Sequence, residues 1–514
     1  MEDKLRELKT RLVEIQDVKL AAAVLEWDQM TYMPPGGAPA RARQIATLQR
    51  LAHEKLVDPA LGELLDSLRS DEERLPYDSD EASLIRVARE EYERAANVPA
   101  AFMAELYGHG ARSFQAWAEA RPANDFAAVR PYLEKTLELS QQYASYFPGY
   151  EHVADPLIDR HDYGMKASTL RTLFADLRAQ LVPIVQAIAA QPVADDSCLH
   201  QRFPETQQCN FGLDVVQRFG YDLERGREDK APHPFTTHFS IGDVRITTRV
   251  KEDSLGEALF GTMHEAGHAM YEQGVGLGLE GTLLDEGTSS GIHESQSRLW
   301  ENVVGRSRPF WTFFYPRLQT VFPGQLGSVP LDTFYRAINK VERSLIRTEA
   351  DEVTYNLHVM ARFDFELDLL EGKLAVRDLP EAWRARFQAD LGIVPPDDRD
   401  GVLQDMHWFT GTIGGMFQGY TLGNILGAQF YGVALQAHPE IPAEMEGGEF
   451  GTLHNWLKEH IYQHGRKFTT AELVERVTGG PLSIEPYIRY LRSKYRELYA
   501  LPVTDAPPTD SGPR

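Results

Sequence analysis

Cysteine is almost missing from this chain: Cys198 and Cys209 are its only two in 514 residues. Two thiols cannot build a disulfide framework, and their spacing is not that of a C-x-x-C pair. They read as ordinary reduced thiols, as in a cytoplasmic protein. Long apolar runs are missing too. The stretch Leu20 to Leu25 is far too short to cross a bilayer. Met1-Glu2-Asp3-Lys4-Leu5 mixes charges and lacks the apolar core of a signal peptide. Positive charge is scarce: 53 basic residues stand against 76 acidic ones, a formal net charge of -23. Such a surface repels nucleic acid and anionic membrane, so neither is expected as a partner.

Apolar residues, by contrast, make up 42% of the chain, enough for a sizeable core. Their spacing is helical almost throughout. Leu5, Leu8, Leu12, Ile15 and Val18 mark a first helix from Glu2 to about Leu25, broken by Met33-Pro34-Pro35-Gly36-Gly37. Helices are predicted from about Ala40, then through Leu68, over Ala82–Ala96, Phe102–Glu119, Asp125–Tyr146 and Ala167–Gln191. His152 to Tyr163 reads as a loop. The helical pattern yields once, where residues 234–240 and 244–250 are rich in β-branched and aromatic types around Gly242-Asp243, a hairpin signature. Alternation sets Arg245, Thr247 and Arg249 on one face and Val244, Ile246 and Val250 on the other. Helices resume near Ile292, and a long periodic stretch runs from Leu331 to about Glu371, broken once. The expected fold is mainly α: one large helical unit over residues 1–501 with a minor antiparallel sheet. The Pro/Asp/Ser-rich tail from Pro502 to Arg514 is expected to be disordered.

The hairpin ends just before His264-Glu265-Ala266-Gly267-His268, an H-E-x-x-H pattern. Residues four apart on a helix lie one above the other, so both imidazoles leave one face and can hold one metal ion. Glu265, one step round, can reach a metal-bound water. Ser254-Leu255-Gly256-Glu257 fits a capping box that would start this helix, and Gly274 would stop it. Alone, the pentapeptide also occurs by accident. A hydrolytic zinc site wants a third protein ligand and an open position. Glu294, in the next helix, is the best candidate; Glu286 and Glu301 are weaker, and Glu294 could instead bridge to Arg298 at i+4.

Further candidates are less specific. His407 and Tyr420 lie on or beside a glycine-punctuated segment and could donate to an oxyanion, or could simply be packed. Arg347, Asp351, Thr354 and His358 form a polar stripe on what reads as an apolar helix, either a solvated face with an Arg–Asp pair or a cleft wall. Arg245, Arg249 and Arg347 raise the same prospect, since a guanidinium grips a carboxylate bidentately and would suit a peptide's free C-terminus.

Taken in order, Trp27-Asp28-Gln29 with Met33-Pro34 and Gly36-Gly37, His233-Pro234-Phe235, Asp243-Val244-Arg245-Ile246-Thr247, His264 to His268, His293-Glu294-Ser295-Gln296, Ile346 to Glu352 and Gly401 to Trp408 resemble the carboxypeptidase Taq family of zinc metallocarboxypeptidases. The resemblance implies a helical ellipsoid split by a deep cleft, like neurolysin and angiotensin-converting enzyme. It implies zinc, replaceable by cobalt, on His264, His268 and Glu294, with Glu265 as general base. It implies release of single residues from peptide C-termini with broad specificity, and a homodimer. Arg245, Arg347, His238 and Gln404 become substrate-binding cleft residues, and His407 a substrate or oxyanion contact. Tyr420 follows by analogy with related cleft enzymes. Many related enzymes carry an aspartate four residues after the glutamate ligand to orient a histidine. Here Arg298 stands there, leaving Asp351 and Glu352 as candidates for that task. Two other readings compete: an oligopeptidase or dipeptidyl carboxypeptidase on the same scaffold, and a non-catalytic helical binding protein.

Overall fold

Leucines spaced by three and four bury one face of the opening helix, which runs Glu2–Thr31. Leu8, Leu12 and Ile15 are fully buried there, each stabilising the fold by roughly 1.5–3 kcal/mol. The computed structural model describes residues 1–501; the tail from Pro502 to Arg514, expected to be disordered, lies outside the described residues. Helices Ala38–Leu56, Pro59–Glu72 and Asp80–Asn97 follow the first and share with it a small apolar cluster of their own. Val275, Leu279, Leu283 and Leu284, from the loop after the helix that carries His264 to His268, plug into that cluster. The glycine-rich loop is therefore anchored at its leucines. A much larger cluster holds the rest of the core, including both helices that carry the candidate ligands.

The hairpin forms as β2 (Thr236–Ser240) and β3 (Asp243–Thr248), antiparallel. A third strand escaped the sequence reading: β1 (Glu228–Lys230) pairs parallel to β3, giving the order β1-β3-β2. Its three residues, Glu-Asp-Lys, carry no strand propensity, and only the neighbour's ladder makes them a strand. Val244 and Ile246 point into the main core, as alternation requires.

Two predicted elements change. The loop His152–Tyr163 contains a short helix, Asp155–Asp159, whose aspartates are buried because they accept backbone N–H groups. The stretch Leu331–Glu371 is broken once, as expected, but the break is long: two helices, Leu331–Ile338 and Tyr355–Leu370, are separated by irregular backbone with a single 3₁₀ turn at Arg347–Glu349. Asp351 ends the irregular part by accepting the N–H groups of Val353 (2.9 Å) and Thr354 (3.1 Å) ahead of the second helix. The helical stripe from Arg347 to His358 therefore does not exist. Among the described residues no helix is long and apolar enough to cross a membrane.

The helix Glu485–Tyr499 closes the described chain and pins this irregular segment. Buried Glu352 accepts from Lys494 Nζ (2.7 Å) and the hydroxyls of Tyr490 (2.6 Å) and Tyr495 (3.0 Å). Removing one member of a buried ion pair strands the other. Glu352→Ala is accordingly expected to cost about 3–5 kcal/mol in urea unfolding, and a loss near zero would show that Lys494 finds water instead.

Candidate active site

The histidine helix, Leu255–Gly274, starts where the sequence places it, with Ser254 extended at the N-cap (φ -146°, ψ 113°). The capping box itself is absent: Ser254 makes no side-chain cap bond. Glu257 turns instead to Arg249 and to Lys251 Nζ at 2.8 Å, two charges from the preceding strand end that outcompete a backbone N–H. His264 and His268 then leave one face, with ring centroids 4.9 Å apart.

Glu294 comes from the short helix Ser290–Arg298. That helix is held at its start by Ser289, which accepts from the Ile292 N–H, and by buried Asp162, which accepts from the Gly291 N–H at 2.8 Å. Glu294 Oε2 lies 3.8 Å from His264 Nε2 and 3.5 Å from His268 Nε2. One donor atom from each of the three residues falls within 4.8 Å of the other two. Two imidazole nitrogens and one carboxylate oxygen converging in this way are a donor set that fits a hydrolytic divalent metal. The other oxygen, Oε1, accepts from Arg298 Nε at 2.7 Å. The bridge weighed against the ligand reading thus coexists with it. Burial alone would raise the Glu294 carboxyl, but Arg298 and the two imidazoles hold it well below the usual range, so it stays ionised.

Glycines let the ligand helix sit so close. A Cβ on Gly267, in the histidine helix, would lie 2.6 Å from Ser297 Cα. A Cβ on Gly423, in the helix Gln418–Ala437, would lie 2.4 Å from Glu294 Cγ. A turn to either side, a Cβ on Gly419 would lie 2.4 Å from Ser290 Oγ and one on Gly427 2.9 Å from the Ser295 carbonyl oxygen. The glutamate helix is clasped between two backbones.

Glu301 partners the candidate ligand His264. Its carboxylate accepts from His264 Nδ1 at 2.9 Å and from Arg298 Nη1 at 3.1 Å. Burial opposes its ionisation, yet Arg298 and His264 bring the carboxyl down to about 2. It lies within a π-helical turn, Leu299–Val304. Asp351 and Glu352, the carboxylates offered by the sequence for orienting a histidine, are engaged elsewhere as described. His268 Nδ1 meets His293 rather than a carboxylate.

Glu265 is buried, which raises its carboxyl against the opposing pull of His264 and of a hydrogen bond from Thr236. Thr236 Oγ1 lies 2.7 Å from Glu265 Oε2 and 2.9 Å from the Glu265 carbonyl. Thr236 and His238 share the face of β2 that meets the histidine helix; His238 Nδ1 stands 3.8 Å from Glu272 Oε2. Arg245 pairs in register with Thr237 and so faces the other way. Its guanidinium grips Asp243 (2.8 and 2.7 Å) and lies 4.4 Å over the Trp27 ring. Arg245 and Arg249 are both paired within or beside the sheet, and no contact brings either to the ligands.

Arg347 stands differently. It is buried, and its Nε and Nη2 chelate Asp405, the shortest contact being 2.8 Å. Nη1 donates to the Tyr355 hydroxyl at 3.1 Å, and the guanidinium lies 5.3 Å from the Tyr420 ring centre. Arg362, fully buried, shares Asp405. Gln404 braces this segment: its Oε1 accepts the Arg347 N–H at 2.9 Å while its amide nitrogen donates to the carbonyls of Leu345, Asp400 and Gly401. His407 Nε2 comes within 3.4 Å of Tyr420 Oη, so those two candidates are brought together. Arg298 lies 4.6 Å over the Tyr355 ring, which joins this wall to the ligand cluster. On the other side of Glu294 and His268 a cavity of about 560 Å³ opens, rimmed by Glu286, Arg466, Glu91 and Arg94.

Residues 7–495 match the family of carboxypeptidase Taq (M32) metallopeptidases. The chain belongs to that family. It is 42% identical to thermostable carboxypeptidase 1 of Thermus thermophilus over 487 residues, covering 93% of this chain and 95% of that one. Carboxypeptidase 1 of Bacillus subtilis is 37% identical, covering 95% and 97%. The crystal structure of a carboxypeptidase of the family from Deinococcus radiodurans superposes with a TM-score of 0.94 at 49% identity, covering 97% of this chain and all of the other. This carboxypeptidase Taq metallopeptidase is thus a metallocarboxypeptidase that uses a divalent metal on peptide substrates.

Thr236, Glu272, His293 and Asp405 escaped the sequence reading. Glu272 carried a signal, since it repeats the His264–His268 interval once more. Thr236 carried none, because only the folded sheet brings it to Glu265.

Two variants test the site's construction. Gly423→Ala is expected to displace Glu294 and weaken metal binding, with an overpacking cost of about 1–3 kcal/mol. Gly432→Ala, on the same helix with nothing within 4 Å, should be neutral to slightly stabilising in thermal unfolding. Equal metal affinity in both would refute the clasp. Thr236→Val should leave metal affinity intact and lower kcat, because Glu265 loses its one side-chain hydrogen bond; unchanged kcat would mean Thr236 does not orient it.

Proposed function

We propose that zinc is the metal, that His264, His268 and Glu294 hold it, and that the enzyme removes single residues from peptide C-termini with broad specificity. The observation that carries this is the convergence of those three donor groups beside a buried Glu265 and, across the site, an arginine with N–H groups to spare. Zinc bound there would polarise the scissile carbonyl and acidify a water. Glu265 takes the proton of the attacking water and returns it to the leaving amine. Its burial suits that task by making the neutral form accessible. Tyr420, with His407 beside it, donates to the developing oxyanion. Burial keeps its phenol protonated well above the usual range, as a donor must be.

Arg347 receives the terminal carboxylate. A guanidinium has five N–H groups. Asp405 and Tyr355 engage Nε, Nη2 and Nη1. One N–H remains on each terminal nitrogen, the edge a carboxylate takes side by side. An oligopeptidase needs no such arginine, and the family match favours a carboxypeptidase over a dipeptidyl carboxypeptidase. Residues 1–501 act as one catalytic unit in this reading, in a cytoplasmic homodimer. The net charge of -23 and two free cysteines are in keeping with that setting. Cobalt is the expected substitute.

Mass spectrometry of a peptide digest should give a ladder shortened by one residue at a time from the C-terminus, while the C-terminally amidated peptide stays intact. Cleavage of the amidated form, or loss of dipeptides, would sink the assignment. Glu265→Gln should retain stoichiometric zinc yet lose at least roughly 10²–10⁴-fold in kcat. Retained turnover would mean another base.

A further inference from the structure

We propose that His293 is a positioning residue of the metal centre, an imidazole relay that connects the ligand His268 to the carboxylate of Glu272. The inference rests on the metal-centre reading above and extends it to a pair of residues outside the ligand set.

Four observations carry it. First, the chain of contacts is continuous: His268 Nδ1 lies 2.5 Å from His293 Nδ1, and His293 Nε2 lies 2.5 Å from Glu272 Oε1. Second, Glu272 is fixed independently, because the Gly287 N–H also donates to Oε1 at 3.2 Å and the residue is buried. Third, the space is built for an imidazole. A Cβ on Gly287 would come within 2.6 Å of His293 Cδ2, and the Tyr271 ring packs against His293 with centroids 5.2 Å apart. Fourth, the placement follows from the elements. Glu272 is one turn beyond His268 on the histidine helix, and His293 adjoins Glu294 on the glutamate helix, so the two helices interleave ligand and partner.

Hydrogen-bond polarity then fixes each proton. A carboxylate can only accept, so His293 Nε2 carries the hydrogen. A metal on His268 Nε2 requires that nitrogen bare, which puts the His268 hydrogen on Nδ1 and asks a lone pair of His293 Nδ1. That lone pair accepts from His268 Nδ1–H, and His268 Nε2 is left bare on the side facing Glu294. His264 reaches the same tautomer by a shorter route, donating Nδ1–H directly to Glu301. Ligating histidines usually donate their second nitrogen straight to a carboxylate, a carbonyl or water. Here one ligand does so and the other works through a second histidine.

The test is zinc affinity of the full-length chain, measured by competition with a chromophoric chelator, together with thermal unfolding of the metal-free protein. His293→Met fills the space without an N–H and should weaken zinc binding roughly 10–100-fold. His293→Gln can accept and donate at once, and should recover most of the affinity. Glu272→Met breaks the far end with His293 in place, and should weaken zinc in the same direction; it carries the test if His293→Met does not fold. Wild-type affinity in His293→Met or Glu272→Met would overturn the relay. So would equal losses in His293→Met and His293→Gln, which would make the ring a packing element only. A wild-type chain that binds no zinc would remove the metal-centre reading as well, so the two failures are distinguishable.

Discussion

Arg298 donates to two carboxylates at once, and the metal centre hangs on that fork. Glu294 has to remain ionised in a buried place, which is unfavourable without a fixed positive neighbour. Arg298, four residues on along the same helix, supplies the charge from 2.7 Å. Its second branch holds Glu301, and Glu301 holds His264. One guanidinium therefore sets the charge of one candidate ligand, Glu294, and the orientation of another, His264. Where the resemblance implies an aspartate, this chain has a cation that recruits a carboxylate from three residues further along, and the π-helical turn is where that carboxylate sits. The substitution changes the parts and keeps the outcome.

Backbone proximity is the complementary constraint. Candidate metal ligands on two helices converge only if the helices approach closely, and side chains on the facing surfaces would forbid it. Gly267 on one side and Gly419, Gly423 and Gly427 on the other remove those side chains. The absence of Cβ atoms costs helix propensity, about 1 kcal/mol at each position. That cost is borne where a ligand needs the room, and not at random along the chain.

How much of this is legible in the sequence depends on whether the information is local. The histidine helix, its stop at Gly274, the hairpin and the candidate third ligand all follow from spacing within a few turns. The capping box failed because two cations at the strand end compete for Glu257, which spacing cannot reveal. The helix expected around Arg347 failed because Asp351 and Gln404 satisfy backbone groups that helical periodicity alone would assign to a helix. Arg245 shared its arginine chemistry with Arg347 yet faces away from the site, since the register of β2 on β3 decides its face. Gln404 and Asp405 lie in a recognisable motif, but their task, holding another segment's arginine, is visible only in three dimensions.

The backbone around Arg347 is irregular yet tied on every side: Gln404 and Asp405 from one direction, Tyr355 and Asp351 from its own chain, Lys494 and its tyrosines from the C-terminal helix. Ordering a loop costs conformational entropy, about 1–2 kcal/mol per residue. Here that ordering is completed when the chain folds, so a carboxylate docking on Arg347 as proposed has no loop to freeze. In the reading proposed for Arg347, recognition of a chain end, a feature common to every peptide, becomes a property of the folded scaffold and leaves the side chains of the substrate free to vary.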